Sequence, residues 1–203
     1  MDLFEAIGTL RAMRRLKPDP VSDEELWTLL DAAVKAPSGA NRQPWNFLVI
    51  RDPDTKRKLA EHYLDGWNRI YGPFRDFALA DPATARTYSS AEHLAHHLAE
   101  VPVLILATVQ REAIAPGSPP GASIYPAIQN LMLTARALGL GTTLTTLHRE
   151  HESEVKELLG IPEGMATMAL IPVGWPEGKF GPPTRLPAEQ VTYWERWGDV
   201  RSR

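Results

Sequence analysis

The chain contains no cysteine. That removes disulfides, thiolate metal sites and cysteine nucleophiles at once, and it fits a cytoplasmic protein. Long apolar runs are missing too. The longest, 101–109, falls well short of the ~20 residues that span a bilayer. The opening MDLFEAIGTL carries acids and no cationic lead before an apolar core, so it does not read as a signal peptide. Charge is nearly balanced: 22 Lys and Arg against 25 Asp and Glu give a net charge of −3. Nothing global then draws the chain to nucleic acid or an anionic membrane, and any anion site must be a local cluster. The G-x-S-x-G, H-E-x-x-H and GxxxxGK[ST] patterns are absent. With no thiol, triad or metal set in view, any hard chemistry falls to a bound cofactor.

What is present suits one globular domain over 1–203, with 43% hydrophobic and 23% charged residues. Residues 2–10 predict a short helix. Ser22 and Glu25 form a capping box, and Val21 with Leu26 a hydrophobic staple, opening a helix that Pro37 stops near Ala36. A strand follows over 45–50, then a helix over 55–64 capped by Asp54. Residues 65–87 are aromatic and aperiodic. Beyond them the patterns predict a helix over 89–100, a buried strand over 101–109 and a Pro/Gly-rich loop over 110–121. The 124–138 helix is apolar nearly all round and should be central; Gly139 ends it. Then come a β-rich stretch over 142–147, a helix over 151–159, a strand over 165–173 and a last helix over 188–197. Interleaved helices and strands indicate α+β or α/β.

Three constellations carry chemistry. Arg11, Arg14 and Arg15 lie early, Lys179 and Arg185 late. They read either as solvated surface or as a clamp for a phosphate, whose oxygens suit the guanidinium fork. The stretch from Pro37 to Trp45 reads Pro-Ser-Gly-Ala-Asn-Arg-Gln-Pro-Trp. Gly39 lets a ligand approach the backbone, and Asn41 and Gln43 offer both donors and acceptors, as a flavin edge demands. Third, Gly139-Leu140-Gly141-Thr142-Thr143-Leu144-Thr145 looks like a dinucleotide fingerprint, but helix and strand stand in the wrong order. A helix cap leading into a threonine-lined strand is the better reading. His93, His96 and His97 read as an exposed polar face. His148 reads either as structural or as a group at the mouth of a site.

In order and spacing, four blocks resemble the nitroreductase family of flavoproteins. They are Thr9–Leu16 with Lys17-Pro18-Asp19-Pro20-Val21, Ala36 through Trp45, Gln129-Asn130-Leu131 with Ala137 through Thr142, and Ile171 through Pro176 with Arg185-Leu186-Pro187. The second is the most specific. The resemblance implies an α+β fold: a three-layer α/β/α sandwich around a central, mainly antiparallel sheet. It also implies a domain-entwined homodimer with FMN sites built from both subunits. By the same resemblance, Arg11, Ala12, Met13, Arg14, Arg15 and Arg185 hold the phosphate. Pro37, Ser38, Gly39, Asn41 and Gln43 hold the ring and ribityl chain, and Thr143, Leu144 and Thr145 meet the flavin from the other side. The family often reads Arg-Arg-Ser-x-Arg at the start. This chain has Leu10-Arg11-Ala12-Met13-Arg14, one Arg and one hydroxyl fewer, which leaves open which Arg meets the phosphate.

The implied activity is ping-pong hydride transfer from NADH or NADPH to a nitroaromatic, quinone or similar small acceptor. The flavin carries the chemistry, with no catalytic side chain and no metal. Alternatives are a deazaflavin donor, flavin fragmentation, reductive dehalogenation, or flavin binding without turnover. The expected partners are a second copy of the chain and small molecules, not nucleic acid or a membrane.

Overall fold

A computed structural model describes residues 1–201. Four strands form one sheet in the order β1-β2-β4-β3, all neighbours antiparallel: β1 (Trp45–Ile50), β2 (Val103–Gln110), β3 (Gly141–Thr142) and β4 (Met165–Gly174). Side chains of β2 alternate between two separate cores. Val103, Ile105, Ala107 and Val109 enter one, and Leu104 and Leu106 the other. A sheet buried on both faces gives a near-continuous apolar strand. A register shift at Ala107/Thr108 inserts one extra residue into β4. Met168 and Ala169 consequently both join the first core.

Helices α2 (Asp23–Ala33) and α6 (Gly121–Leu138) cover the first face. Helices α3 (Pro53–Ile70), α5 (Pro82–His97) and α7 (Glu152–Leu159) cover the second. The result is the three-layer sandwich that the resemblance implies. The Ser22–Glu25 capping box is formed in both directions, and Val21 and Leu26 share a core. Gly139 ends α6 in the left-handed region at φ 86°. Helix α6 is less central than its composition predicts. Ile124, Ala127, Ile128, Leu131 and Ala135 form a buried stripe, while Tyr125 and Leu138 reach solvent. Among the described residues no helix is long and apolar enough to cross a membrane.

Several expectations fail locally. Asp52, not Asp54, caps α3: its side chain accepts from the Thr55 amide, and Pro53 supplies the preset φ of the first turn. The aperiodic 65–87 stretch is helical. It holds the end of α3, α4 (Arg75–Ala80) and the start of α5. Pro73 and Pro82 hid this, yet both sit in first turns, where no amide is needed. The 142–147 strand shrinks to Gly141–Thr142 and a single bridge, Thr145 to Leu170. Beyond it the chain turns into a short 3-10 helix, Leu147–His151, packed so tightly on α3 that a Cβ on Gly66 would lie 3.2 Å from the Leu147 carbonyl. The helix expected over 188–197 is reduced to Ala188–Gln190. Val191, Trp194 and Trp197 there are exposed, and a short helix with no apolar surface to pack on is marginal.

His148 does not stand at the mouth of a site. It is fully buried, and neither ring nitrogen has a hydrogen-bond partner among the described residues. Burial pushes its pKa down to about 4, against a weaker pull upward from Glu152. The folded state therefore holds a neutral ring where the unfolded chain binds a proton. That contribution is complete above pH ~6.5 and is lost as pH falls toward 4. Thermal melts should show His148→Leu losing less stability than the native chain between pH 7 and 4. The native loss attributable to this group is about 3 kcal/mol.

Candidate functional site

Three distant segments are stitched into one wall. The Met13 amide donates to the Thr142 carbonyl at 2.9 Å, the Lys17 amide to the Trp175 carbonyl at 2.8 Å, and the Glu177 amide to the Arg15 carbonyl at 3.1 Å. The Arg11 guanidinium donates to the Lys179 carbonyl. Gly141 permits this docking, since a Cβ there would meet Leu16 Cδ2 at 2.8 Å and Met13 Cβ at 2.9 Å. Thr142 is fully buried, and its Oγ1 has no partner among the described residues.

In front of this wall lies a cavity of about 430 Å³ lined by Arg11, Arg14 and Arg15 on one side and Arg86, Ser89 and Ser90 on the other. Among the described residues none of the four arginines forms an ion pair with a carboxylate. Arg15 instead meets His93 Nδ1 at 3.0 Å. Four unneutralised guanidinium groups beside hydroxyls are a donor set for a phosphate or similar oxyanion. Arg14 is half-buried, and desolvation lowers its pKa. A guanidinium stays charged regardless.

Arg14 and Thr87 also line a second cavity, of about 830 Å³. Its walls are aromatic, with Trp67, Tyr71, Phe74 and Phe77, and Thr143, Leu144 and Thr145 form part of its lining. Tyr63 Oη and Thr145 Oγ1 lie 2.8 Å apart, and burial raises the Tyr63 pKa, keeping the phenol neutral. A polar compartment continuous with an apolar one suits a single ligand having an anionic head and a planar body. The structure thus brings Arg11 through Arg15 together with Thr143, Leu144 and Thr145.

It does not bring the 37–43 turn to them. Neither cavity is lined by Pro37, Ser38, Gly39, Asn41 or Gln43. The turn feeds β1 at Trp45, which pairs with Val109, itself opposite Ala166 near the start of β4. Strand β3 pairs with the end of β4, at Val173 and Gly174. The outer strands β1 and β3 therefore carry the two groups to diagonal corners of the sheet. At ~3.3 Å per residue and ~4.8 Å per strand, they stand roughly 20–25 Å apart. Gly39 instead abuts the 110–121 loop: a Cβ would lie 2.9 Å from Ala115. Arg185 lines neither cavity, and its side chain donates to the neighbouring Thr184 carbonyl.

The turn is strained. Ala40, Asn41 and Gln43 have φ of 50°, 53° and 49°, all left-handed and none glycine. The Ser38 hydroxyl accepts from the Gln43 amide at 3.0 Å and holds the shape. Strain of this kind, kept in an exposed loop, points to a functional backbone. Sequence reasoning missed Arg86, because it lay in the aperiodic stretch. The helical reading of 82–97 puts 86, 89 and 90 on one face, which is the signal that finds it.

The family model of the nitroreductase family matches residues 9–175. An NADH dehydrogenase of Thermus thermophilus is 32% identical, over 96% of each chain. Iodotyrosine deiodinase 1 of Rattus norvegicus is 27% identical over 86% of this chain and 62% of its own. Among solved structures, a nitroreductase with bound FMN from Desulfitobacterium hafniense superimposes with a TM-score of 0.71 at 22% identity, covering 95% of this chain and 97% of that one. At that identity the likeness is one of fold.

Relieving the turn tests whether it is held under strain. Ala40→Gly should raise stability to urea by about 0.5–1 kcal/mol, the left-handed cost removed less the entropy that glycine adds. Ala40→Val should lower it.

Proposed function

Since the chain belongs to the nitroreductase family, we propose that it is an FMN-dependent oxidoreductase acting as one unit over 1–203 and as a homodimer. One observation carries the reading: the cluster of arginines, without carboxylate partners among the described residues, opens at Arg14 into a threonine- and aromatic-walled cavity. The phosphate belongs with Arg11, Arg14 and Arg15, and the ring beside Thr143, Leu144 and Thr145. When bound, FMN supplies the two-electron chemistry, accepting hydride from a reduced nicotinamide and passing electrons to a nitroaromatic, quinone or similar acceptor.

The residues supply the rest. Arg14 places a positive charge at the junction of head and ring, where it favours an electron-rich ligand. Thr145 is held by Tyr63 and cannot swing away. The apolar walls exclude water and stack planar substrates. One open cavity serving donor and acceptor in turn gives ping-pong kinetics.

The diagonal separation supports the homodimer. A second copy can present its Pro37–Gln43 turn, whose Asn41 and Gln43 suit the donor and acceptor edge of a flavin. Apolar surface is available for such pairing: Phe4 is 84% exposed and Trp197 90%, and exposed apolar patches mark interaction sites. Arg185, which lines neither cavity of its own chain, would join the phosphate clamp of the second copy. The iodotyrosine deiodinase relative supports one second reading, reductive dehalogenation in the same cavity. Release of iodide from an iodinated phenol would favour it.

A purified protein that is yellow and is bleached anaerobically by NADH or NADPH supports the main reading. A colourless protein that takes up no FMN rejects it, and bleaching by a reduced deazaflavin alone moves the donor to that class. Arg14→Ala and Asn41→Ala should each weaken FMN binding roughly ten-fold or more. Co-refolding the two variants should restore high-affinity FMN at one site per mixed dimer. If one chain built the whole site, mixing would restore none.

A further inference from the structure

The flavin reading uses one wall of the arginine cavity and leaves the other idle. We propose that Arg86, Ser89 and Ser90 form a second anion subsite that binds the ribose 2′-phosphate of the electron donor and so selects NADPH over NADH. The proposal rests on the flavoprotein reading for its donor but not for its ligand chemistry.

The charge balance points there. A phosphate monoester carries up to two negative charges at neutral pH, which Arg11, Arg14 and Arg15 match without Arg86. The cavity's 430 Å³ equals roughly 14 water volumes, while a phosphate group has five heavy atoms. Room and charge remain for a second one.

Helix α5 presents the subsite rigidly. Residues 86, 89 and 90 fall at i, i+3 and i+4, on one face. The opposite face is anchored: Tyr88 and Ala95 lie in the core, and the Tyr88 hydroxyl donates to the Tyr71 carbonyl at 2.9 Å. The acids of α5 and its cap are committed elsewhere. Asp81 accepts from the Ala83 amide at 3.0 Å, and Glu92 pairs with Arg75 at 2.7 Å. Arg86 is exposed and forms no ion pair among the described residues. A guanidinium offers a fork for a terminal phosphate, and the hydroxyls of Ser89 and Ser90 add donors without charge.

The path is short. Thr87 lines both cavities. A donor whose nicotinamide stands among the aromatic walls passes Thr87 to set its ribose phosphate against Arg86. NADH carries no 2′-phosphate and leaves the subsite unused.

Calorimetric titration of the purified, FMN-loaded protein with adenosine 2′,5′-bisphosphate and with AMP tests this without turnover. The bisphosphate should bind at least ten-fold tighter than AMP. Arg86→Ala should collapse that ratio to about one, and Arg86→Lys, a point charge without the fork, should keep part of it. FMN content should stay at the native level in both. Equal affinities in the native protein, or a ratio that survives Arg86→Ala, would overturn the proposal. Loss of FMN in both Arg86 variants would overturn it too, by assigning Arg86 to the flavin phosphate. Failure of the native protein to take up FMN rejects the flavoprotein reading instead. The same two nucleotides on that flavin-free protein still decide whether the subsite exists.

Discussion

The architecture of the site hangs on the docking of residues 11–17 against β3 and the end of β4. Its central bond is Met13 N–H to the Thr142 carbonyl, and its steric condition is the pair Gly141 and Gly174. A Cβ on Gly174 would lie 2.9 Å from Pro102 and 3.3 Å from Leu16. With both positions bare, Leu16 settles between strand and loop, and the arginines on either side of Met13 project into one cavity. Any side chain at Gly141 would lever that segment off the sheet and scatter the positive charge.

Much of the frame was legible from one chain. The capping box at Ser22, the staple at Val21 and Leu26 and the glycine stop at 139 are local codes, and each formed as read. The alternation of apolar residues was uninformative for β2, since both of its faces are covered. The signal of a strand there lies instead in its length and β-branched content. Residues 11–15 and 143–145 line adjoining cavities, because a helix–glycine–strand unit delivers the threonines to the sheet edge.

What was not legible depended on long-range packing. His148 carries no local sign of burial; it is enclosed because Gly66 lets α3 come close to 147–151. Prolines at 73 and 82 interrupt any periodic pattern, yet they are helix openers. The tail from 188 onward has apolar residues without an intrachain surface, so pattern alone overstated its helix. The separation of the 37–43 turn from the arginines is a property of sheet order. Strand order does not appear in any local motif.

The stitched wall joins chain segments far apart in sequence: the Arg11 side chain meets a carbonyl 168 residues away. Contacts of such separation form late, since the closure entropy of the whole intervening chain must be overcome first. The helices flanking the sheet can condense from local contacts well before then. During synthesis the early arginines therefore wait, solvated, until residues 175–179 have emerged. Assembly of the arginine wall is in this sense a late mark of correct threading: it takes its shape only once 11–17, 141–142 and 175–179 have met.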